Sequence, residues 1–353
     1  MKNLKKLLAL VTCGVLLAGT LAGCSGGSST APAANSTTQE ASQASEEAPA
    51  QTGEPAGETA ALPGGGSNII YIITPSHSNP FFKTEADTAT RVAQELGYEV
   101  KASSHDDDAT KQMQLFESAI ADKAAAIICD NAGADATVEA VKKAAEAGIP
   151  TFLIDREINE DGIAISQIVA NNDQGARAIA EKWVEAMGEE GKYAELLGKE
   201  SDTNASVRSN AFHAVIDEYP DLECVATQTA NWEQTQGYEK TETILQSNPE
   251  ITGIICGNDT MAVGAAEACA AAGRNDIKII GVDGSDEAAA LIKDGKMTGT
   301  ALQQCALIAQ MAVEQADAYL KNGTTGLEEK QLVDCIAITA DNVDNLKTFV
   351  FTE

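Results

Sequence analysis

The chain has 353 residues, of which 44% are hydrophobic and 22% charged, a composition that indicates a folded protein rather than a chain disordered throughout. Aspartate and glutamate number 53 against 24 lysines and arginines, which gives a formal net charge of −29. This excess argues against a nucleic-acid-binding protein, which needs clustered cations, and against electrostatic attachment to an anionic membrane. The three histidines leave little material for a multi-histidine metal site or a histidine relay.

The N-terminus is typical of an exported lipoprotein. A basic start precedes an apolar run from Leu7 to Ala22, which is short and flanked like the core of a signal peptide. The run ends in Leu21-Ala22-Gly23-Cys24, which resembles the bacterial lipobox, where cleavage before the cysteine is coupled to lipidation of its thiol. A plain secretory signal with a chance cysteine is the alternative. We predict a signal peptide over residues 1–23, a lipid anchor at Cys24, and an extracytoplasmic location with no membrane contact beyond the anchor.

The next segment, residues 24–66, is predicted to be a disordered tether because it contains almost no large apolar side chain. The remaining chain is long enough for two domains. Its cysteines show no CxxC pair and no metal-ligand spacing, and most lie in apolar stretches. We therefore expect buried free thiols rather than disulfides, although export leaves pairing open. These cysteines are Cys129, Cys224, Cys256, Cys269, Cys305 and Cys335.

From Asn68 onward, short β-branched runs alternate with longer amphipathic segments, a pattern that predicts βαβ units and parallel sheets covered on both faces. The predicted strands are Ile69–Ile73, Glu99–Ser103, Ala125–Cys129, Thr151–Ile154, Gln167–Ala170, Tyr193–Leu197, Glu223–Thr227, Gly253–Cys256, Ile277–Val282, Thr298–Leu302 and Gln331–Ala337. The predicted helices include Phe82–Leu96, Ala134–Ala147, Asp173–Met187, Ser206–Tyr219, Met261–Ala272 and Ala306–Lys321. Gly97, Gly148 and Gly273 follow helix patterns and suit left-handed C-terminal positions, and Asp108 suits an N-cap.

In open α/β sheets ligands bind beyond the carboxyl ends of the strands, so the residues there are the candidates for a site. Taken singly, each could cap a helix, pair with a neighbour or fill the core. Together they place carboxylates, amides and guanidiniums among aromatic rings, the groups that hold sugar hydroxyls and the apolar faces of a sugar ring. We therefore predict a sugar-binding pocket. The candidates are Asn79-Pro80-Phe81-Phe82, Asp130-Asn131, Asp155-Arg156, Arg208, Asn231-Trp232, Asn258-Asp259, Asp283-Gly284 and Gln303-Gln304.

The run Asp106-Asp107-Asp108 lacks the spaced oxygen ligands and the terminal glutamate of a calcium loop, and we interpret it as a solvated turn. We predict no metal site and no cofactor.

The chain resembles the ribose-binding branch of the periplasmic sugar-binding proteins, which are the type I substrate-binding subunits of ABC importers. The likeness covers residues 68–340, and its most specific pieces are Asn79-Pro80-Phe81-Phe82, Ile154-Asp155-Arg156, the run from Asn258 to Ala265, and Gly281-Val282-Asp283-Gly284. The resemblance implies two Rossmann-like doubly wound lobes that are joined by three crossings and close on a sugar. The crossings would fall near Val169–Asn172, Gln303–Gln304 and Leu332–Asp334. The N-terminal lobe would comprise residues 67–170 and 304–332, and the C-terminal lobe residues 171–303 and 333–353.

Carried over by motif, the resemblance assigns the ligand to residues of both lobes. The N-terminal lobe would contribute Asn79, Phe81, Phe82, Asp155 and Arg156, and the C-terminal lobe Arg208, Trp232, Asn258, Asp283 and Gln303. Several differences from the family put ribose itself in doubt. Asp130 stands where ribose binders usually have asparagine, so we add it to the site, and Trp232 replaces a phenylalanine. Ser76, His77 and Ser78 alter the first loop, and Gln304-Cys305 replaces the expected residues after Gln303. A different pentose, a polyol or a small hexose fits as well.

The predicted function is capture of this small carbohydrate for an ABC permease and its ATPase, by a monomer. An enzyme is not expected, because the chain has no P-loop and, after a predicted strand, neither a G-x-S-x-G elbow nor a G-x-G-x-x-G that opens a helix. A repressor of the same fold would need an N-terminal helix-turn-helix, where this chain has a signal and a tether. A sensory role, with a chemoreceptor or sensor kinase as partner, remains open, as does a furanosyl signal such as autoinducer-2.

Overall fold

The computed structural model describes residues 64–352. Strands and helices alternate along it, as the sequence predicts. The strands are β1 (Ile69–Thr74), β2 (Glu99–Ser104), β3 (Ala126–Cys129), β4 (Thr151–Ile154), β5 (Ser166–Ala170), β6 (Gly191–Leu197), β7 (Leu222–Thr229), β8 (Ile251–Cys256), β9 (Lys278–Asp283), β10 (Gly299–Leu302), β11 (Lys330–Val333), β12 (Ile336–Thr339), β13 (Leu346–Lys347) and β14 (Val350–Phe351). The helices are α1 (Pro80–Glu95), α2 (Ala109–Ala121), α3 (Val138–Glu146), α4 (Asn172–Met187), α5 (Thr203–Ile216), α6 (Gln234–Ser247), α7 (Asp259–Ala271), α8 (Asp286–Lys293) and α9 (Cys305–Asn322), with a 3-10 turn at Val343–Asn345.

Two 6-stranded sheets form the centres of two lobes. The first sheet has the order β11-β5-β4-β3-β1-β2 and is parallel throughout. The second has the order β12-β10-β9-β8-β6-β7 and is parallel except for the edge strand β12, which runs antiparallel to β10. We call the parts built on these sheets the first lobe and the second lobe. The predicted fold class, two doubly wound parallel-sheet lobes, is confirmed.

The chain passes between the sheets after β5, after β10 and after β11. The third passage corrects one predicted strand, because Gln331–Ala337 is two strands rather than one. Its first half pairs with β5 in the first sheet as β11, and its second half pairs with β10 in the second sheet as β12. The hydrophobic periodicity of a segment does not show which strand each half of it will pair with. The break at Asp334-Cys335 therefore could not be predicted from the periodicity.

The predicted helix ends are confirmed where local chemistry fixes them. The Asp108 side chain accepts hydrogen bonds from the amides of Thr110 and Lys111 at the start of α2, and Gly97, Gly148 and Gly273 have φ of +92°, +76° and +71°. The predicted helix Ala134–Ala147 begins later, at Val138. The Ala134 amide, before the helix, donates to the Ser201 carbonyl of the other lobe at 3.1 Å.

Each sheet is buried between helices, with its own apolar core on both faces. Five of the six cysteines are buried, Cys224 is exposed, and all six are free, which confirms the expectation of buried free thiols for most of them. Within residues 64–352, no helix is long and apolar enough to cross a bilayer. The predicted signal peptide, Cys24 and most of the tether lie outside the described residues.

Candidate functional site

A small cavity lies between the lobes, at the carboxyl ends of the strands of both sheets. Polar and aromatic side chains from both lobes line it together. The lining residues are Asn79, Phe81, Phe82, Asp155, Arg156, Asp202, Arg208, Trp232, Asn258, Asp283 and Gln303.

The residues that the family resemblance assigns to the ligand all line this cavity, whereas Asp130 does not. The other strand-end candidates that lie outside the lining are Pro80, Asn131, Asn231, Asp259, Gly284 and Gln304. Asp130 is fully buried behind the cavity wall, with its Oδ1 atom 3.4 Å from Arg156 Nε, so it can act on a ligand only through Arg156. Sequence reasoning missed Asp202. This residue lies in the loop between β6 and α5, at a strand end like the others, and the rule that found them would have found it.

Helix α1 supplies the aromatic wall of the first lobe. Asn79 caps this helix, its Oδ1 atom accepting from the Phe81 amide at 2.9 Å, and Pro80 occupies the first turn. The two phenylalanine rings meet edge to face, with centroids 5.6 Å apart. The start of α1 thus combines the capping role that its sequence suggests with a place in the cavity lining.

Arg156 follows β4 and is 2% exposed. Its guanidinium lies over the Phe82 ring at 4.9 Å. Its Nη1 atom donates to Asp107 Oδ1 at 2.9 Å and to the Asn131 carbonyl at 2.8 Å. Its Nε atom lies 2.8 Å from Asp202 Oδ2 and forms an ion pair with it across the cleft. The angles of this contact do not meet those of a hydrogen bond. Because Asp107 pairs with Arg156, the predicted solvated turn is only partly correct: Asp106 and Asp108 are exposed and Asp107 is half-buried.

Trp232 forms the opposite wall. Its ring lies against Gly198, where an added Cβ atom would overlap the indole, and Gly257, where the Cβ would approach to 2.9 Å. Arg208 stacks on the ring with its guanidinium carbon 5.3 Å from the centroid. Arg208 is held by Nε donating to Asn172 Oδ1 at 2.7 Å and by Nη1 donating to the Gly257 carbonyl at 2.8 Å.

Asp283 and Gln303 close the side of the cavity near the crossings. Gln303 donates to Asp283 Oδ1 at 2.9 Å, and its own buried Oε1 has no partner in the protein. Behind them Asp259 accepts from the amides of Gly284 and Ser285, each at 2.8 Å, and so fixes the loop that carries Asp283. Asn258, which caps α7, completes this side.

Three cavity residues have left-handed backbone conformations, which non-glycine residues adopt rarely. Asp155 has φ +60°, Trp232 +69° and Asp283 +137°. Such conformations cost of order 1–3 kcal/mol each and persist where the surroundings hold them, most often at functional sites. They aim side chains from three separate loops into one space.

Burial shifts the proton affinities of the carboxyl groups here. Burial, and then the nearby Asp202 charge, raises the pKa of Asp155 to about 6. Burial also raises the pKa of Asp130, Asp283 and Glu85 well above the ordinary carboxyl range, and the guanidiniums of Arg156 and Arg208 only partly oppose this for Asp130 and Asp283. Glu85 lies on α1 behind Asp130, and neither carboxyl has an aligned hydrogen bond.

The lobes are closed on the cavity. One stretch of the second lobe, residues 199–204, makes most of the polar contacts between them, and we call it the closure segment. Besides the Asp202 ion pair and the Ser201 hydrogen bond, Lys199 Nζ donates to the Asp107 carbonyl at 3.2 Å and Asn204 Nδ2 to the Asp155 carbonyl at 3.1 Å. At the other side, the rings of Phe81 and Phe349 meet with centroids 5.7 Å apart.

No group of His, Cys, Asp and Glu side chains in residues 64–352 is arranged to hold a metal ion. The carboxylates of the cavity are organised around two guanidiniums instead.

Sequence comparison extends this description. The family model for the periplasmic binding protein domain matches residues 70–325. A "D-apiose import binding protein" of Actinobacillus succinogenes is 58% identical over 284 residues, which are 80% of this chain and 92% of that protein. A "Ribose import binding protein" of Bacillus subtilis is 32% identical over 243 residues, 69% of this chain and 78% of that protein.

Among solved structures, an ABC transporter periplasmic solute binding protein from Actinobacillus succinogenes with bound D-allose superposes with a TM-score of 0.74. It is 29% identical, and the match covers 78% of this chain and 99% of that one.

Proposed function

The chain belongs to the periplasmic binding protein family, as an extracytoplasmic sugar-import binding protein, and from this premise we propose that the sugar it captures is D-apiose. The family is one of binding proteins rather than enzymes. The protein would therefore recognise its ligand and hand it on without changing any bond.

The observation that carries the proposal is the closed cavity itself. Its walls combine hydrogen-bonding groups with aromatic rings from both lobes. Buried acceptors that lack partners, Asp155 Oδ1 and Gln303 Oε1, are positioned for hydroxyl hydrogens. Each satisfied bond contributes roughly 0.5–1.5 kcal/mol, and more where one partner is charged. A sugar with a missing or misdirected hydroxyl leaves such a group unpaired.

The choice of D-apiose is supported by the degree of relatedness. Identity to the apiose import binding protein is 58%, against 32% to the ribose import binding protein, and the former match spans 92% of that relative.

Capture would proceed by hinge closure. The ligand contacts one open lobe, and the second lobe then encloses it. The lobes would comprise residues 67–170 with 304–332 and residues 171–303 with 333–353, as the sequence predicts. We propose that the closed monomer then presents the ligand to an ABC permease and its ATPase. Cys24, lipidated after removal of residues 1–23, would keep the protein at the membrane surface.

A thermal-shift panel tests this proposal. A ligand that binds only the folded state raises the melting temperature with concentration, so purified protein is melted with D-apiose, D-ribose, D-allose, myo-inositol and a neutral polyol. We expect D-apiose to give the largest rise. A larger rise with another sugar would replace D-apiose as the ligand, and no rise with any of them would refute sugar capture.

A further inference from the structure

Asp202 lines the cavity although it is not among the residues predicted from the sequence, and its two carboxylate oxygens have different tasks. Oδ1 caps helix α5 by accepting from the Asn204 amide at 2.9 Å. Oδ2 lies 2.8 Å from Arg156 Nε, across the cleft. The side chain is 4% exposed and lines the cavity. One oxygen thus anchors the residue to the second lobe, and the other faces the first lobe and the ligand space.

Arg156 does not depend on Asp202 for a counter-ion, because other carboxylates surround it. Three other carboxylates already approach the same guanidinium from the first lobe: Asp107 at 2.9 Å, Asp130 at 3.4 Å and Asp155 at 3.7 Å. These three move with Arg156 when the lobes separate, whereas Asp202 moves with the second lobe. Closure therefore brings a fourth carboxylate to a cation that is already balanced, and it places Asp202 beside Asp155.

One carboxylate oxygen of the neighbouring Asp155 accepts no hydrogen bond from the protein. Its Oδ1 atom is buried and has no hydrogen-bond partner in the protein. Its Oδ2 atom and Asp202 Oδ2 lie 3.7 Å and 2.8 Å from the same nitrogen, Arg156 Nε, so the two carboxylates are close enough for one small molecule to reach both. Two adjacent carboxylates repel each other, and hydroxyl donors between them would relieve that repulsion.

We propose that Asp155 and Asp202 form a specificity pair, one carboxylate from each lobe, which together accept hydrogens from two hydroxyls of the same sugar. The inference rests on the proposed function and names two of the groups that select the ligand. A sugar with two suitably directed hydroxyls satisfies both carboxylates and favours closure. A sugar that lacks one of these hydroxyls leaves a buried acceptor unpaired, and a sugar acid or sugar phosphate adds negative charge where the protein already has an excess.

Two substitutions test the pair without removing the helix cap. Asp202→Asn and Asp202→Ser both keep a capping side chain but remove the carboxylate. Calorimetric titrations with D-apiose and with D-ribose give the ratio of the two affinities in each protein. We expect both variants to lose at least about tenfold in affinity for D-apiose and to lose much less for D-ribose, so that the ratio falls. Asp108→Asn is the matched control, since Asp108 caps α2 outside the cavity, and it should leave the ratio unchanged.

The ratio separates a selecting residue from a simple latch between the lobes. A latch lost by mutation would weaken both sugars by the same factor, and that result, or unchanged affinity for D-apiose, would overturn the proposal. If the wild-type protein does not bind D-apiose, the proposed sugar is wrong, and the same titrations with the sugar that ranks highest in the thermal panel still test the pair. If no sugar binds, both proposals fail.

Discussion

Arg156 and Arg208 hold the same kind of position in the two lobes. Each guanidinium lies over an aromatic ring, Phe82 at 4.9 Å and Trp232 at 5.3 Å, and each is bound by backbone or carboxylate oxygens on its other sides. A guanidinium that is fixed in this way loses little conformational freedom when a ligand arrives, so more of its hydrogen-bond energy appears as affinity. The two arginines thereby preorganise both walls of the cavity.

The position of the Trp232 ring depends on Gly198. A Cβ atom at residue 198 would overlap the indole, so Gly198→Ala should displace the ring from the cavity wall. We expect the variant to be destabilised by about 1–3 kcal/mol, as overpacked sites are, and to bind D-apiose at least about tenfold more weakly. Thermal melting and calorimetric titration measure the two effects.

The double variant Gly198→Ala/Trp232→Phe is the control, because phenylalanine lacks the outer indole atoms that the new methyl group would strike. It should regain most of the lost melting temperature without regaining the full affinity. If Gly198→Ala melts and binds like the wild type, the described ring position is incorrect.

The cavity residues that the sequence predicts and those it misses differ in how local their signals are. Asp155 and Asp283 directly follow or end buried strands and Asn79 lies in the loop after one, so a parallel sheet assigns them to one edge. Asp130 also directly follows a buried strand, but the position of a residue at a strand end does not give the direction of its side chain, which lies behind Arg156. The strand-end rule places Asp202 at the same edge, but its contact with Arg156 forms only when the two lobes meet, and no local pattern predicts such a contact.

The crossings between the lobes are tied together by side-chain amides. Asn171, after β5, donates to Asp334 Oδ1 at 3.0 Å, and Gln304, after β10, donates to the Asp334 carbonyl at 2.9 Å. Gln174, on α4, binds the backbone of Cys335 twice, accepting from its amide at 2.9 Å and donating to its carbonyl at 3.3 Å. The three connections are therefore hydrogen-bonded to one another where the chain passes between the lobes, as expected of a single hinge.

Removal of the Gln174 amide should loosen this hinge. Gln174→Ala leaves the amide and the carbonyl of Cys335 without their partners, and we expect a loss of about 1–2 kcal/mol in the free energy of unfolding. For a chain of this size that lowers the melting temperature by roughly 2–4 °C per kcal/mol. Differential scanning calorimetry measures the shift.

Gln310→Ala is the matched control, since the Gln310 amide contacts only Glu314 one turn further along α9. It should change the melting temperature by much less. Equal shifts in the two variants would show that Gln174 is not a special anchor of the hinge.

For individual helices and strands, the sequence predicts the boundaries that depend on residues within the same segment. The glycines after α1, α3 and α7 and the aspartate before α2 mark helix ends correctly, because their conformations or side chains act on the adjacent turn. The division of Gln331–Ala337 into β11 and β12 follows from strand partners far away in the chain. Their boundaries are set by tertiary contacts, which single-segment patterns do not contain.

In the molecule as a whole, closure of the two lobes brings acidic side chains together around Asp155. Asp155 faces Arg156, Asp202 and Arg208, with Asp130 and Glu85 behind it, so its carboxylate is buried among more acids than bases. A carboxyl group whose pKa is raised in the folded state prefers the protonated form there. Its contribution to stability is therefore intact at low pH and is lost as the pH rises from about 4, the ordinary carboxyl value, through about 6.

Asp155→Asn places a permanently neutral side chain at this position, which resembles the protonated acid. In the absence of ligand, we expect this variant to melt at a higher temperature than the wild type at pH 7.5, and the difference to shrink below pH 6 and to vanish toward pH 4. Thermal melting of both proteins across this pH range measures the effect. A variant that is less stable than the wild type by the same amount at every pH would contradict this account of Asp155.

The most direct test of the central claim, that both lobes enclose one small neutral sugar, is a calorimetric titration of the wild-type protein with D-apiose. The account predicts saturable binding of one molecule per chain, with a dissociation constant of about 1 μM or lower and weaker binding of D-ribose. Heat that does not saturate with D-apiose or with any other neutral sugar of the panel would contradict it.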